Sequence, residues 1–184
     1  MAKVRCCLQP WLLGALLALV VGCGFQLRGW HIDDSVSAVF IAGADSTTDA
    51  RTELGSDLRT AFGQAGVTVA KTRGEADLVV TLLDQRRQRR SVSVTGQARA
   101  AEYELSRGVF FSVDQIHDET AEILIEPRWI EVERIYRVDR NNIVGSNEEQ
   151  ALVERDLKND IIQQIVRSIN LVLTQKSTVA AQTP

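Results

Sequence analysis

A chain of 184 residues with 21 basic and 24 acidic side chains and aromatics at 5% is enough for one domain with a sizeable core. Its net charge of −3 argues against general nucleic-acid binding, which needs a basic face, so no nucleic-acid partner is expected. Cys6, Cys7 and Cys23 all lie in the first 23 residues, and the rest of the chain has no thiol for a disulfide, a zinc site or a nucleophile.

The chain opens on Lys3 and Arg5 and then runs uncharged over 11–21. A positive start, an apolar segment and small residues at a cut form a signal-peptide pattern. The apolar segment is shorter than the ~20 residues that a spanning helix needs. Val20-Val21-Gly22-Cys23 resembles a bacterial lipobox, in which the thiol is acylated, the chain is cut before the cysteine and the new amine is acylated too. Residues 1–22 are therefore expected to be removed, leaving Cys23 with an S-diacylglycerol and an N-acyl chain. The alternative is a secreted chain with a chance cysteine beside its cut. Losing Lys3 and Arg5 takes the net charge from −3 to −5 and leaves 162 of the 184 residues. One acyl chain anchors only marginally at ~0.8 kcal/mol per buried methylene, whereas two or three anchor firmly. An Asp after the cysteine of such lipoproteins is an inner-membrane retention signal. Here Gly24 follows, so the resemblance implies the outer membrane, periplasmic side. No cofactor is expected beyond the covalent lipid.

Residues 36–42 read as a first strand, with Val36, Ala38 and Phe40 alternating against Ser37, Val39 and Ile41. Thr48 or Asp49 can cap a helix striped by Leu54, Leu58, Ala61, Phe62 and Ala65, and Gly66 ends it. A short extended piece over 67–70 and a turn over 71–76 follow. Residues 78–94 read as one long strand, apolar on both faces at its start and then carrying Arg86-Arg87-Gln88-Arg89-Arg90. Thr95-Gly96-Gln97 is a hairpin tip, and the return strand covers 98–113, where Gly108 points to a bulge. The last strand covers 122–138, with Pro127 placed at an edge or bulge. Ile130, Val132, Tyr136 and Val138 share one face of it, while Trp129 and Ile135 break the polarity of the other. Ser146-x-x-Glu149 is a capping-box pattern opening a second helix to Leu173, striped by Val153, Leu157, Ile161, Ile165 and Ile169. Residues 174–184 are small and polar and are expected to be disordered.

The order is β-α-β-β-β-α. It predicts an α+β, two-layer sandwich over residues 23–173, with a mostly antiparallel sheet of about four strands and two helices on one face. The second face should be polar, yet it receives Val79, Leu83, Trp129 and Ile135. Something other than these helices is expected to cover it.

Cys23-Gly24-Phe25-Gln26-Leu27-Arg28-Gly29 at the lipobox resembles the N-terminus of the LptE family of lipopolysaccharide-assembly lipoproteins. Ala101-Glu102-Tyr103-Glu104-Leu105 is similar to that family's mid-sheet strand. Arg134-Ile135-Tyr136 with Asn141-Asn142-Ile143-Val144-Gly145 is similar to its last strand and turn. The resemblance implies a non-catalytic protein that plugs an outer-membrane β-barrel of the LptD type, helps it assemble and binds lipopolysaccharide in transit. The barrel wall would then cover the second sheet face, with Trp129 and Ile135 turned to that partner.

Arg86, Arg87, Arg89 and Arg90, with Arg99 across the hairpin, read either as a solvated face or as a strip that grips phosphates of lipopolysaccharide. A guanidinium offers a planar fork of donors matched to phosphate. Nothing in the pattern builds an enzyme. His31 and His117 stand without patterned metal ligands, no nucleophile or phosphate-loop motif is present, and Glu102 and Glu104 read as a solvated or salt-bridged edge. No catalytic or metal-binding residue is assigned. The alternative function is a lipoprotein pilotin or accessory factor for another envelope machine.

Overall fold

The computed structural model describes residues 32, 35–45, 49–94, 100–117, 120–139 and 142–182. The expected signal segment, Cys23, the hairpin tip and Arg99 lie outside them. Strand β1 (Ala38–Ala42) is followed by helix α1 (Glu53–Gln64) and a two-residue strand β2 (Thr68–Val69). Three long strands come next, β3 (Leu78–Val94), β4 (Ala100–His117) and β5 (Thr120–Arg137), then helix α2 (Ile143–Gln182).

The sheet has five strands in the order β2-β1-β3-β4-β5. β1 pairs in parallel with both β2 and β3, and β3, β4 and β5 pair antiparallel. This corrects the expected four strands: the extended piece after α1 docks as a fifth, and the α1 crossover returns the chain in the same direction. β1 starts later than its alternation implied, because Asp77 Oδ2 accepts hydrogen bonds from Ser37 N (2.7 Å) and Ala38 N (2.8 Å) just before it.

The cap of α1 also moves. Thr52, rather than Thr48 or Asp49, accepts the N–H of Gly55 through its hydroxyl at 3.1 Å, and Asp49 instead bridges to Ala42 and pairs with Arg59. The C-terminus ends as read. Gly66 takes φ +85°, Val67 N–H reaches Phe62 O and Gly66 N–H reaches Gly63 O, the paired bonds of a Schellman stop.

α2 begins at Ile143, a turn earlier than the Ser146 pattern implied. Asn142 Oδ1 accepts Gly145 N–H at 3.0 Å and serves as the cap. The Ser146 hydroxyl instead accepts Asp139 N–H at 2.9 Å, tying strand to helix. The helix continues to Gln182, so residues 174–182 are helical where disorder was expected. Lys176 Nζ donates to Gln115 Oε1 (2.9 Å) and Glu122 Oε2 (2.6 Å), pinning that end to β4 and β5. At 1.5 Å per residue α2 is about 60 Å long, matching the reach of β4 and β5. No helix among the described residues is long and apolar enough to cross a membrane.

Both helices cover one sheet face. Leu54, Leu58 and Phe62 of α1 and Ile161, Ile165 and Ile169 of α2 meet Val39, Ile41, Leu78, Val80, Val109, Phe111 and Val113 in one buried cluster. Each such side chain contributes ~1.5–3 kcal/mol by burial, which carries a fold without a cross-link. On the opposite, open face Phe40, Ala42, Ala76 and Val79 form a smaller cluster with Ala70 and Ile116. Arg73, in the turn after β2, is 3.2 Å from Asp114 of β4, so this turn covers the β1–β3 end of that face. Val79 is thus buried rather than left for a partner.

Two register details differ from the reading of the strands. Gly108 stands in register with Arg86 and Glu131, and the irregularities fall instead at Leu82/Asp84, beside Ser93, at Val113/Asp114 and at Phe111/Val113. The last of these lies opposite Pro127, where an edge strand loses its ladder donor.

The arginine strip and the open sheet face

Alternation along β3 decides where each arginine goes. Past the break at Leu83, residues 84, 86, 88 and 90 pair with 110, 108, 106 and 104 of β4, which in turn pair with 129, 131, 133 and 135 of β5. Successive side chains point to opposite faces. Arg86 and Arg90 therefore lie on the open face, and Arg87 and Arg89 lie on the helix face.

On the open face, Trp129 reaches across the sheet. Its ring stacks on Phe110 at 5.4 Å and 28°, and the Arg86 guanidinium lies 4.2 Å from the ring centroid. Gly108 makes room for it, since a Cβ there would stand 3.3 Å from Trp129 Cζ3. This explains the glycine that the sequence placed at a bulge. Farther along, Arg90 grips Glu104 with two bonds, Nε to Oε1 at 2.5 Å and Nη2 to Oε2 at 2.8 Å. That grip holds the Glu104 carboxyl below its ordinary value. Glu102 is lowered too, first by Ser93 and then by Arg137, whose Nη2 is 3.2 Å from its carboxylate. The two glutamates therefore work as separate ion-pair partners, not as an acid–base pair. Trp129 is 39% exposed and Ile135 62%, both beyond the cover of either helix.

On the helix face, Arg87 pairs with Glu154 of α2 at 3.3 Å. Arg89 lies 3.8 Å from the Tyr103 ring and 5.7 Å from that of Tyr136, and these rings stack at 6.0 Å. The Tyr136 hydroxyl donates to Gln150 at 2.8 Å, and burial pushes its pKa up. Leu105, Tyr136 and Leu157 close this end as a third apolar cluster.

The four arginines thus form two pairs on opposite faces, each with a partner of its own, rather than one strip. The run of charge singles out the four arginines in the sequence; applying the strand's two-residue period to it would have shown their division between the faces. Gly108, Phe110 and Glu104 were missed as site residues because they belong to the open face only through the β3–β4 register. Among the described residues no group of three His, Cys, Asp or Glu side chains is placed to hold a metal.

Lipoprotein B from Nitrosomonas europaea has a similar structure, with a TM-score of 0.65 at 22% identity, covering 82% of this chain and 93% of that one. The rare lipoprotein B from Shewanella oneidensis follows at 0.58 and 20%, covering 79% and 99%, and a minor lipoprotein from Acinetobacter baumannii at 0.53 and 21%, covering 73% and 91%. These likenesses extend the α+β sandwich to those proteins. No curated protein matches the sequence. The family model described as LptE, lipopolysaccharide-assembly, matches residues 36–169. That span runs from the entry to β1 through most of α2, and the chain belongs to the LptE lipopolysaccharide-assembly family.

Proposed function

We propose that this protein is an outer-membrane lipoprotein, anchored on the periplasmic side by acyl chains on Cys23, that seats its open sheet face against an LptD-type β-barrel and binds lipopolysaccharide in transit. One observation carries the reading. The far half of the open face, which neither helix covers, presents Trp129 and Ile135 beside Arg86 and Arg90. Exposed aromatic and aliphatic side chains ringed by charge are what a protein partner's hot spot uses. The guanidinium groups give the same surface donors suited to phosphate. The work is binding and scaffolding, with no catalytic residue in it.

The test is a pull-down of the full chain from detergent-solubilised outer membranes, with captured proteins identified by mass spectrometry. The wild-type chain should capture a large β-barrel protein. Trp129→Glu and Ile135→Glu should lower that capture at least about tenfold, about 1.4 kcal/mol, while shifting the melting temperature little. Capture of a secretin, or an equal loss of capture and stability, would count against the barrel assignment.

A further inference from the structure

Trp129, Glu131, Glu133 and Ile135 stand at alternate positions of β5 and so share the open face. At ~3.4 Å per residue the stretch from Trp129 to Ile135 covers about 20 Å of one row. The ladder is unbroken from Phe110↔Trp129 to Glu104↔Ile135, so no bulge turns either glutamate out of that row. Both glutamates are exposed, and neither has an ion-pair or hydrogen-bond partner among the described residues.

The arginines of this face do not pair with them. Arg90 grips Glu104 with two bonds and feels Glu133 only as a weaker, through-space charge. Arg86 lies over the Trp129 ring and 3.7 Å from Asp84. Across the rungs from 84 to 90 of β3, the open face sets Arg86 and Arg90 against Asp84, Glu104, Glu131 and Glu133. The two glutamates of β5 are the surplus. A surface that touches both Trp129 and Ile135 also lies over the glutamates between them. A carboxylate shut away from water without a counter-charge is strongly unfavourable, so that surface has to bring cations of its own.

We propose that the barrel wall facing β5 presents lysine or arginine side chains to Glu131 and Glu133, between apolar contacts at Trp129 and Ile135. This rests on the barrel reading above and adds the chemistry of the partner's surface. The apolar ends supply grip, while the charged middle steers the encounter and rejects surfaces of the wrong sign. Phosphate has that wrong sign, so lipopolysaccharide is not the occupant of this row.

The test captures the barrel with the full chain from detergent-solubilised outer membranes, at low and at moderate salt. Glu131→Gln with Glu133→Gln keeps size and polarity and removes only the charge. It should lower capture severalfold at low salt and less at moderate salt, where screening is stronger. Glu131→Lys with Glu133→Lys should lower capture further. Glu148→Gln with Glu149→Gln, at exposed positions on α2, makes the same change of net charge away from the sheet and should leave capture unchanged. The sign of the effect is decisive. A wall without cations would bind the Gln pair as well as wild type or better, because the cost of desolvating the carboxylates is gone. That result would overturn this proposal and leave the barrel reading standing. If the wild-type chain captures no barrel, the barrel reading fails and this proposal fails with it. Lipopolysaccharide titrated onto the same chains should bind the Gln pair no worse than wild type. A fall there, with capture kept, would give the row to the lipid and overturn the proposal.

Discussion

At Gly108 the missing side chain lets the Trp129 ring lie close against the sheet. A Cβ there would stand 3.3 Å from the indole, which from this position meets Phe110 on one strand and Arg86 on another. Gly108→Val should lift the ring off the sheet and separate it from the guanidinium. The expected loss of stability is about 0.5–1 kcal/mol, the worth of an exposed cation–π contact, reduced somewhat by valine's better strand propensity. Near-ultraviolet circular dichroism should lose tryptophan signal at the same time. An unchanged spectrum would mean that the ring is held from elsewhere. Arg90 and Glu104, two rungs farther along the same face, show the same economy: the bidentate grip satisfies a carboxylate that is only 8% exposed on an otherwise open face.

Among the elements, α1 and the first part of α2 are joined by Lys158. Its ammonium lies 2.7 Å from Glu53 and 2.6 Å from Asp57, with its side chain 15% exposed. Removing it leaves Glu53 and Asp57, one turn apart on α1, without the ammonium that ties both to α2. Lys158→Met keeps the length of the side chain and should cost about 1–3 kcal/mol. In hydrogen exchange the loss should concentrate over α1, the helix that carries both carboxylates. A denaturation midpoint shift worth under ~0.5 kcal/mol with unchanged exchange over 53–64 would reduce this pair to surface decoration. Both helices were legible from their stripes, because Leu54 to Phe62 and Leu157 to Ile169 recur at helical spacing. The ends of α2 were less so. Ser146-x-x-Glu149 looks like a start, but Asn142 offers its side chain one turn earlier. Thr174, Ser177 and Thr178 look like a tail, but Lys176 finds Gln115 and Glu122 from distant strands. No local pattern carries such tertiary ties, and a two-residue parallel strand such as Thr68–Val69 has no period to read.

For the molecule as a whole, charge is spread as pairs that tie one element to the next, and this sets its response to pH and to ligand. Glu53, Glu102, Glu104 and Glu122 are all held below the ordinary value of 4.5, by Lys158, by Ser93 and Arg137, by Arg90 and by Lys176 respectively. A carboxyl with a lowered folded pKa stabilises above its unfolded value, and the gain is lost as pH falls through the lowered one. Lys158, raised above 10.5 by Asp57 and Glu53, and Tyr136, raised above 10.0 by burial, work in the other direction and lose their contribution as pH rises past those values. Urea midpoints should therefore be flat between about pH 4.5 and pH 10 and fall on both sides, with Glu104→Gln making the acid limb shallower. The same distribution of pairs bears on lipopolysaccharide. Arg86 is held by a ring and a distant Asp84 at 3.7 Å, so its donors are open to a phosphate, and Arg90 shares its face. Arg87 stands against Glu154 of α2 and Arg89 lies over the Tyr103 and Tyr136 rings, on the side away from Trp129. If phosphate groups approach by the open face, Arg86→Gln with Arg90→Gln should weaken lipopolysaccharide binding by at least about tenfold, since a charge-assisted bond is worth ~1.5–3 kcal/mol. It should also flatten the salt dependence. Arg87→Gln with Arg89→Gln should do less to binding and more to stability, because it releases Glu154 and uncovers Tyr103. Lysine in place of Arg86 and Arg90 should fall between, keeping the charge without the planar fork. Isothermal titration at low and moderate salt separates these cases: equal losses from the two pairs would mean that the ligand wraps both faces of the hairpin, and no loss from either would return all four arginines to a structural role.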